Sequence, residues 1–301
     1  MVAVPSVRVG APLTHDKLTV FPLYLEVPAA PNYRFADEAL ADGSAVVEEV
    51  SEGGSVPNLA VDNKGEALVL FVEGQELRGA KQNRVLNTSV LIAAKTKTVL
   101  PVSCVEQGRW RYTSKQFTSS EYCSSSKLRQ VLKKSVNDST LAGGGHTSDQ
   151  GAVWTEVSRQ MRSVGSTSET MALADTMTFH KSHTDRHVAE VAYSEGAAGL
   201  AIAVGGRLVS VDLFDAPETC RKVWPRVIRG VAMDAMEERS AATVSVDEVT
   251  AAVASLRTEP WKPVAAAGAG EEQRSESPRW HGSALSLNGN LVHGSLVTAA
   301  V

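Results

Sequence analysis

The chain has 301 residues, 43% hydrophobic and 21% charged, with a formal net charge of −4. This is ordinary for a soluble globular protein of one large or two small domains, and it gives no global drive toward nucleic acid or an anionic membrane. Cys104, Cys123 and Cys220 are too widely spaced for a disulfide framework or a zinc pattern and fit a reducing cytoplasm; the first residues lack a basic region followed by an apolar run, so no signal peptide is expected, and no apolar run has the length of a membrane span.

In chain order, Leu18 to Val27 reads as a strand, with Pro22 placing it at an edge. Phe35 to Leu40 is a short helical turn. Ala45 to Val50 and Leu59 to Val61 are strands, each followed by a turn, at Ser51–Gly54 and Asp62–Gly65. Ala67 to Val72 is an unbroken apolar run, the pattern of a strand buried on both faces. Val85 to Ala94 and Val99 to Val105 are two more such runs. Pro101 marks the last as an edge strand or a bulge, and parity points Cys104 into the core as a small hydrophobe. Thr113 to Ser126 reads as a surface loop, then Ser125 to Val136 as an amphipathic helix. Gly143–Gly145 is a connector, because it lacks the Gly-Lys-Ser/Thr ending of a phosphate loop.

Asp149 to Val164 is a second helix. His180, His183, His187 and Glu190 fall on roughly one helical face, but the segment is polar all round, so no metal site is expected. Ala198–Val204 and Leu208–Leu213 form a hairpin around Gly205-Gly206-Arg207. Asp215 with Glu218 reads as the cap of the next helix, and Pro225 predicts a kink or a break near Val223. Ser245 to Leu256 is a capped helix and Ala265 to Pro278 a mobile loop. Ala284–Leu287 and Leu291–Val297 flank Asn288-Gly289, a strong hairpin signal.

The candidate site lies in two polar turns, after the first and third apolar runs. Glu76 and Glu106 are the candidate acid–base groups. Lys81, Asn83, Arg84, Asn87, Gln107 and Arg109 are the candidate ligand-binding residues, with Lys81, Arg84 and Arg109 suited to phosphate. The turns share one sheet end if their strands are parallel neighbours and lie apart if antiparallel. A structural ion-pair network explains the same residues. Trp110, between Arg109 and Arg111, suits stacking on a guanidinium or a base, or else sits as a half-buried core residue.

EGQELRGAKQNRVLN (Glu73–Asn87), LPVSCVEQGRWRY (Leu100–Tyr112) and the stretch Ala198–Gly230 together resemble the ARPP-1 family, the ARG- and rhodanese/phosphatase-associated proteins, where ARG denotes ADP-ribosylglycohydrolase. The resemblance implies a connection with ADP-ribose metabolism and carries over no catalytic residue. The expected architecture is α+β, in one domain over 1–301. A β-rich part, 1–112, holds a mixed or antiparallel sheet; a helical and hairpin part, 125–301, covers and extends it. Two functions stand. One is a cytoplasmic enzyme or sensor for ADP-ribose or a related nucleotide derivative. The other is a non-catalytic interaction or self-assembling protein whose polar loops are structural. The sequence specifies no cofactor.

Overall fold

A computed structural model describes residues 4–299. The fold is α+β, with seven helices and eighteen strands among the described residues. The helices are α1 (Ala36–Ala41), α2 (Ser126–Leu141), α3 (Gln150–Ser163), α4 (Leu173–Phe179), α5 (Lys181–Glu190), α6 (Pro217–Glu237) and α7 (Val246–Ser255). None is long and apolar enough to cross a membrane.

The largest sheet is antiparallel and draws on both ends of the chain. Leu18–Leu25 pairs with Gly199–Val204, which pairs with Arg207–Phe214. Next come Asn290–Thr298, Trp280–Leu287, Glu271–Glu276 and Lys262–Val264. Its central strands are apolar at nearly every position because both faces are covered. Leu18, Val20, Leu200 and Ile202 face α6; Phe21, Leu23, Ala201 and Ala203 face α7. The last hairpin turns at Asn288 and Gly289 with φ of +53° and +78°, a primed turn matched to strand twist.

A second antiparallel sheet runs in the order Phe117–Cys123, Gln75–Gly79, Arg84–Leu86, Thr96–Cys104, Asn58–Asn63, Ala45–Glu49. A three-stranded sheet packs beside it, with Leu68–Phe71 between Val90–Ile92 (antiparallel) and Tyr33–Phe35 (parallel). Helices α2, α3 and α4 cover the other face of the second sheet, over Val85 and Val105.

Several expectations are corrected. Neither proline marks an edge. Pro22 pairs with Leu200 on one side, and its carbonyl accepts from Gly10 N on the other, where the outer partner breaks between Val7–Val9 and Leu13–His15. The ring nitrogen therefore faces a gap in the ladder. Pro101 sits where Thr96–Cys104 ends its pairing with Asn58–Asn63 and begins its pairing with Arg84–Leu86. The run Val85–Ala94 is two strands, broken at Asn87–Ser89. The loops expected at 113–126 and 265–278 contain the strands Phe117–Cys123 and Glu271–Glu276. Ala216, not Asp215, caps α6; the Asp215 carboxylate accepts instead from the Tyr33 hydroxyl at 2.6 Å. Helix α6 continues through Pro225, which is partly exposed, so water can serve the carbonyl left without a donor.

Gly230 sets how closely α6 approaches the second sheet. A Cβ there would stand 2.6 Å from the Cys123 carbonyl oxygen and 2.7 Å from that of Ser124. Both are backbone atoms and cannot swing aside. Gly230→Ala is expected to destabilise the protein by about 1–3 kcal/mol, read as a lower midpoint in urea unfolding.

Candidate functional site

The two polar turns meet, although the apolar runs that precede them, Leu68–Phe71 and Thr96–Cys104, are not neighbours and lie in different sheets. The hairpin joining Gln75–Gly79 to Arg84–Leu86 turns through Ala80 (φ +39°), Lys81, Gln82 and Asn83. The segment Glu106–Arg109 leaves the end of Thr96–Cys104 and lies against that turn. Asn83 N donates to Glu106 Oε2 at 3.0 Å. Arg109 is the fastener. Its Nε and Nη2 grip Glu106 at 2.8 and 2.6 Å; Nη1 donates to Ala80 O at 2.6 Å and to Thr113 Oγ1; Nη2 also reaches Gly79 O and Asn83 Oδ1. These bonds, with Nη1 to Arg111 O, leave the guanidinium no donor for a ligand. Burial alone would raise the Glu106 carboxyl, but Arg109, Asn83 N–H and the Thr170 hydroxyl outweigh it and hold it below the usual range.

Beside this lock lies a less satisfied group. Arg84 is fully buried, and its Nε and Nη2 have no hydrogen-bond partner; Nη2 stands 3.8 Å from Glu49 Oε1. Glu49 Oε1 accepts from Lys81 N, and Oε2 accepts nothing. Lys81 Nζ donates to Gly53 O and lies 5.2 and 5.1 Å from the Trp110 and Tyr112 ring centres. The Arg84 guanidinium lies 5.6 Å from the Trp110 ring. Trp110 and Tyr112 are 46% and 48% exposed. An open cavity of about 900 Å³ lies against Tyr112 and is lined also by Glu48, Glu49, Glu52, Ser114 and Lys115; Trp110 is near it but not part of its lining.

The remaining predicted residues lie elsewhere. Glu76 pairs with Val85 and so shares its face, under the helices and opposite to Arg84. Both its oxygens lack a well-aligned hydrogen bond, and burial pushes its carboxyl up to about 7. Gln107 is exposed. Asn87 donates to His146 O and accepts from Ser103 Oγ, away from the lock.

A second polar cluster, missed by sequence reasoning, fills the space between α2 and the largest sheet. Arg129 bridges Asp212 (2.5 Å) and Glu73 (3.3 Å); Lys133 bonds Glu73 at 2.5 Å and the Ser283 hydroxyl at 2.6 Å. His293 Nε2 faces Asp212 Oδ1 at 3.3 Å and its Nδ1 faces Ser89 Oγ at 2.8 Å. Burial would raise Glu73 and Asp212, but the facing cations outweigh it and hold both low; burial pulls Lys133 down to about 8. The linkage Ser89–His293–Asp212 has the composition of a nucleophile triad, with the ring nitrogens exchanged. All three are buried, and the adjoining cavity between Glu73, Asn87, Arg129 and Lys133 measures about 10 Å³, room for one water. It is a structural core.

Helix α5 does not gather its histidines into a metal site. His180 Nε2 bonds Val164 O, while the His183 and His187 rings pack at 4.5 Å. Among the described residues, no group of three or more His, Cys, Asp or Glu is arranged to hold a metal ion.

Four missed residues had signals. Along Ala45–Glu49 the buried positions alternate, so Ala45 and Val47 put Glu49 on the inner face by parity. Arg129, Lys133 and Asn137 recur every fourth residue beside Leu128, Leu132 and Val136, a polar stripe at helical spacing.

No curated protein and no solved structure is a significant match to the chain. The family model described as the ARG and Rhodanese-Phosphatase-superfamily-associated Protein domain, ARPP-1, matches residues 6–297, and the chain belongs to that family.

Proposed function

We infer that the protein binds ADP-ribose or a related nucleotide derivative in the open cavity beside Trp110 and Tyr112. The observation that carries the reading is the side-by-side pair of unmet groups, Arg84 Nε and Nη2 with Glu49 Oε2. A buried donor and a buried acceptor left unmade each cost about 1–3 kcal/mol. Arg84 does not line the cavity and the Trp110 ring lies over its guanidinium at 5.6 Å, so in this reading the ring swings aside on binding and lets phosphate oxygens and ribose hydroxyls satisfy both groups. In this reading Trp110 and Tyr112 stack the base, Arg84 and Lys81 take the pyrophosphate, and Glu49 accepts from a ribose hydroxyl. A cavity of about 900 Å³ suits a ligand of this size. The family's association with ARG, the ADP-ribosylglycohydrolases, supplies the substrate class. Three buried free thiols suit a reducing setting, so the reading places the protein in the cytoplasm.

The reading is binding, with no reaction assigned. Glu106 is committed to Arg109, and Glu76 lies across the sheet from the cavity. A second reading, a non-catalytic interaction or self-assembling protein, draws on Arg109, whose donors are all directed inward. Trp110→Ala separates the two, because the ring is half exposed and its loss leaves the core intact. Under the binding reading, calorimetric titration will show affinity for ADP-ribose falling by about 1–3 kcal/mol with the melting temperature retained. Under the second, no ADP-ribose binding is seen in either protein, and light scattering of wild type reports a homo-oligomer.

A further inference from the structure

We propose that a separate cavity, between the N-terminus of α2, the C-terminal turn of α6 and the hairpin of Gly199–Val204 with Arg207–Phe214, binds a small apolar monocation: a primary ammonium on a short aliphatic or aromatic body. It encloses about 300 Å³, and its walls include Ser126, Lys127, Val204, Leu208, Val209 and Asp234. That volume is at the lower end for small-molecule sites.

The charge balance around Asp234 selects the ligand. Asp234 is 3% exposed. Its Oδ2 accepts from both Ser126 N (2.6 Å) and Ser126 Oγ (2.7 Å), while Oδ1 has no partner. The two cations at the rim are already neutralised: Lys127 by Glu237 at 2.5 Å and Arg207 by Glu238 at 2.7 Å. Glu237 also holds Arg159. Asp234 is thus a buried carboxylate in no ion pair; burial outweighs the pull of the Ser126 bonds and of the Lys127 charge and lifts its carboxyl to about 6, so at neutral pH it is still largely ionised. Val204, Leu208 and Val209 supply an apolar wall beside it. A wholly apolar guest leaves the carboxylate unmatched, and an anion is repelled by it. An ammonium group on Oδ1 with its hydrocarbon against the three side chains meets both demands.

Benzylammonium is the probe, with benzyl alcohol and benzoate as matched controls, each titrated calorimetrically into the full-length protein. The expected result is saturable binding of benzylammonium, about tenfold or more weaker binding of the alcohol, and none of benzoate. Val209→Trp fills the cavity from a partly exposed wall and will weaken benzylammonium about tenfold or more while the melting temperature holds. Asp234→Asn will abolish the preference for the amine over the alcohol. Should Asp234→Asn fail to fold, because Asp234 also holds the first residue of α2, Val209→Trp decides. No saturable binding to wild type, unchanged affinity in Val209→Trp, or a retained amine preference in Asp234→Asn overturns the proposal. ADP-ribose binding at Trp110 is read separately, so the two proposals fail independently.

Discussion

Arg129→Ala will destabilise the protein by about 3–5 kcal/mol, measured as the change in unfolding free energy in guanidinium chloride. The cause is not the loss of one contact. Arg129 is the counter-charge for two buried carboxylates, Asp212 at 2.5 Å and Glu73 at 3.3 Å, and it also donates to Ser295 Oγ at 3.0 Å. Removing it leaves Lys133 to balance Glu73 and only His293 facing Asp212. Stranded charge of this kind takes a large part of the roughly 5–15 kcal/mol that a folded domain has. Combining Arg129→Ala with Asp212→Ala will recover some of the loss, and the double-mutant cycle will report a coupling of about 0.5–3 kcal/mol.

The same cluster fixes a pH signature. Glu73 and Asp212 are held below the ordinary carboxylate range in the folded protein. A depressed folded-state pKa contributes stability that is complete above the unfolded value, near 4, and is lost as pH falls through the folded value. Wild type will therefore lose stability steeply on acidification below about pH 4. Arg129→Ala will lose it more shallowly, since much of that contribution is already gone.

Glu76→Gln will act in the opposite sense and at the other end of the scale. The folded-state carboxyl is raised by burial to about 7, from an ordinary 4.5. The folded protein then holds a proton that the unfolded chain has released, so stability falls between about pH 4.5 and 7 and is flat above. At pH 8 the buried charge costs on the order of 3 kcal/mol. Glu76→Gln removes that cost, and its melting temperature will exceed that of wild type at pH 8 and match it closely at pH 5. Equal differences at both pH values would show that Glu76 does not titrate in this range. The prediction also bears on function: a carboxyl near 7 in a strand is an attractive acid–base candidate by pKa alone, but this one shares the face of Val85, under the helices and turned from Arg84.

Where hydrophobic pattern decides structure, the fold was legible. The Gly199–Val204 hairpin, the Asn288–Gly289 turn, α2, α3 and α7 all follow from apolar spacing and turn chemistry. Pairing partners decide the cases where the pattern fails. Glu271–Glu276 reads Glu-Glu-Gln-Arg-Ser-Glu and looks like a loop. It is a strand because neighbours bond it on both sides and because its inward residues satisfy one another: Arg274 grips Glu272 and donates to Thr88 and Asn137. Phe117–Cys123 is likewise masked by serines, yet it completes the sheet against Gln75–Gly79. Periodicity along one segment cannot register a partner that is distant in sequence.

The candidate site was half legible for a related reason. Density of polar residues located Lys81, Asn83, Arg84, Glu106 and Arg109, which do come together. It could not tell which are saturated internally. Arg84 and Arg109 look equivalent in the sequence; in the fold Arg109 is fully bonded and Arg84 is not. Glu49 hid in a short apolar strand, where only parity gives it away.

The most direct test is a calorimetric titration of ADP-ribose into wild type, Trp110→Ala and Glu49→Gln, each first shown to be folded. The binding account predicts saturable one-to-one binding to wild type, weakened in both variants and accompanied by a ligand-dependent rise in melting temperature of wild type, worth about 2.7 kcal/mol at a hundredfold excess over Kd. Absence of saturable binding to wild type, or equal affinity in all three proteins, would contradict it and leave the polar loops with a structural role alone.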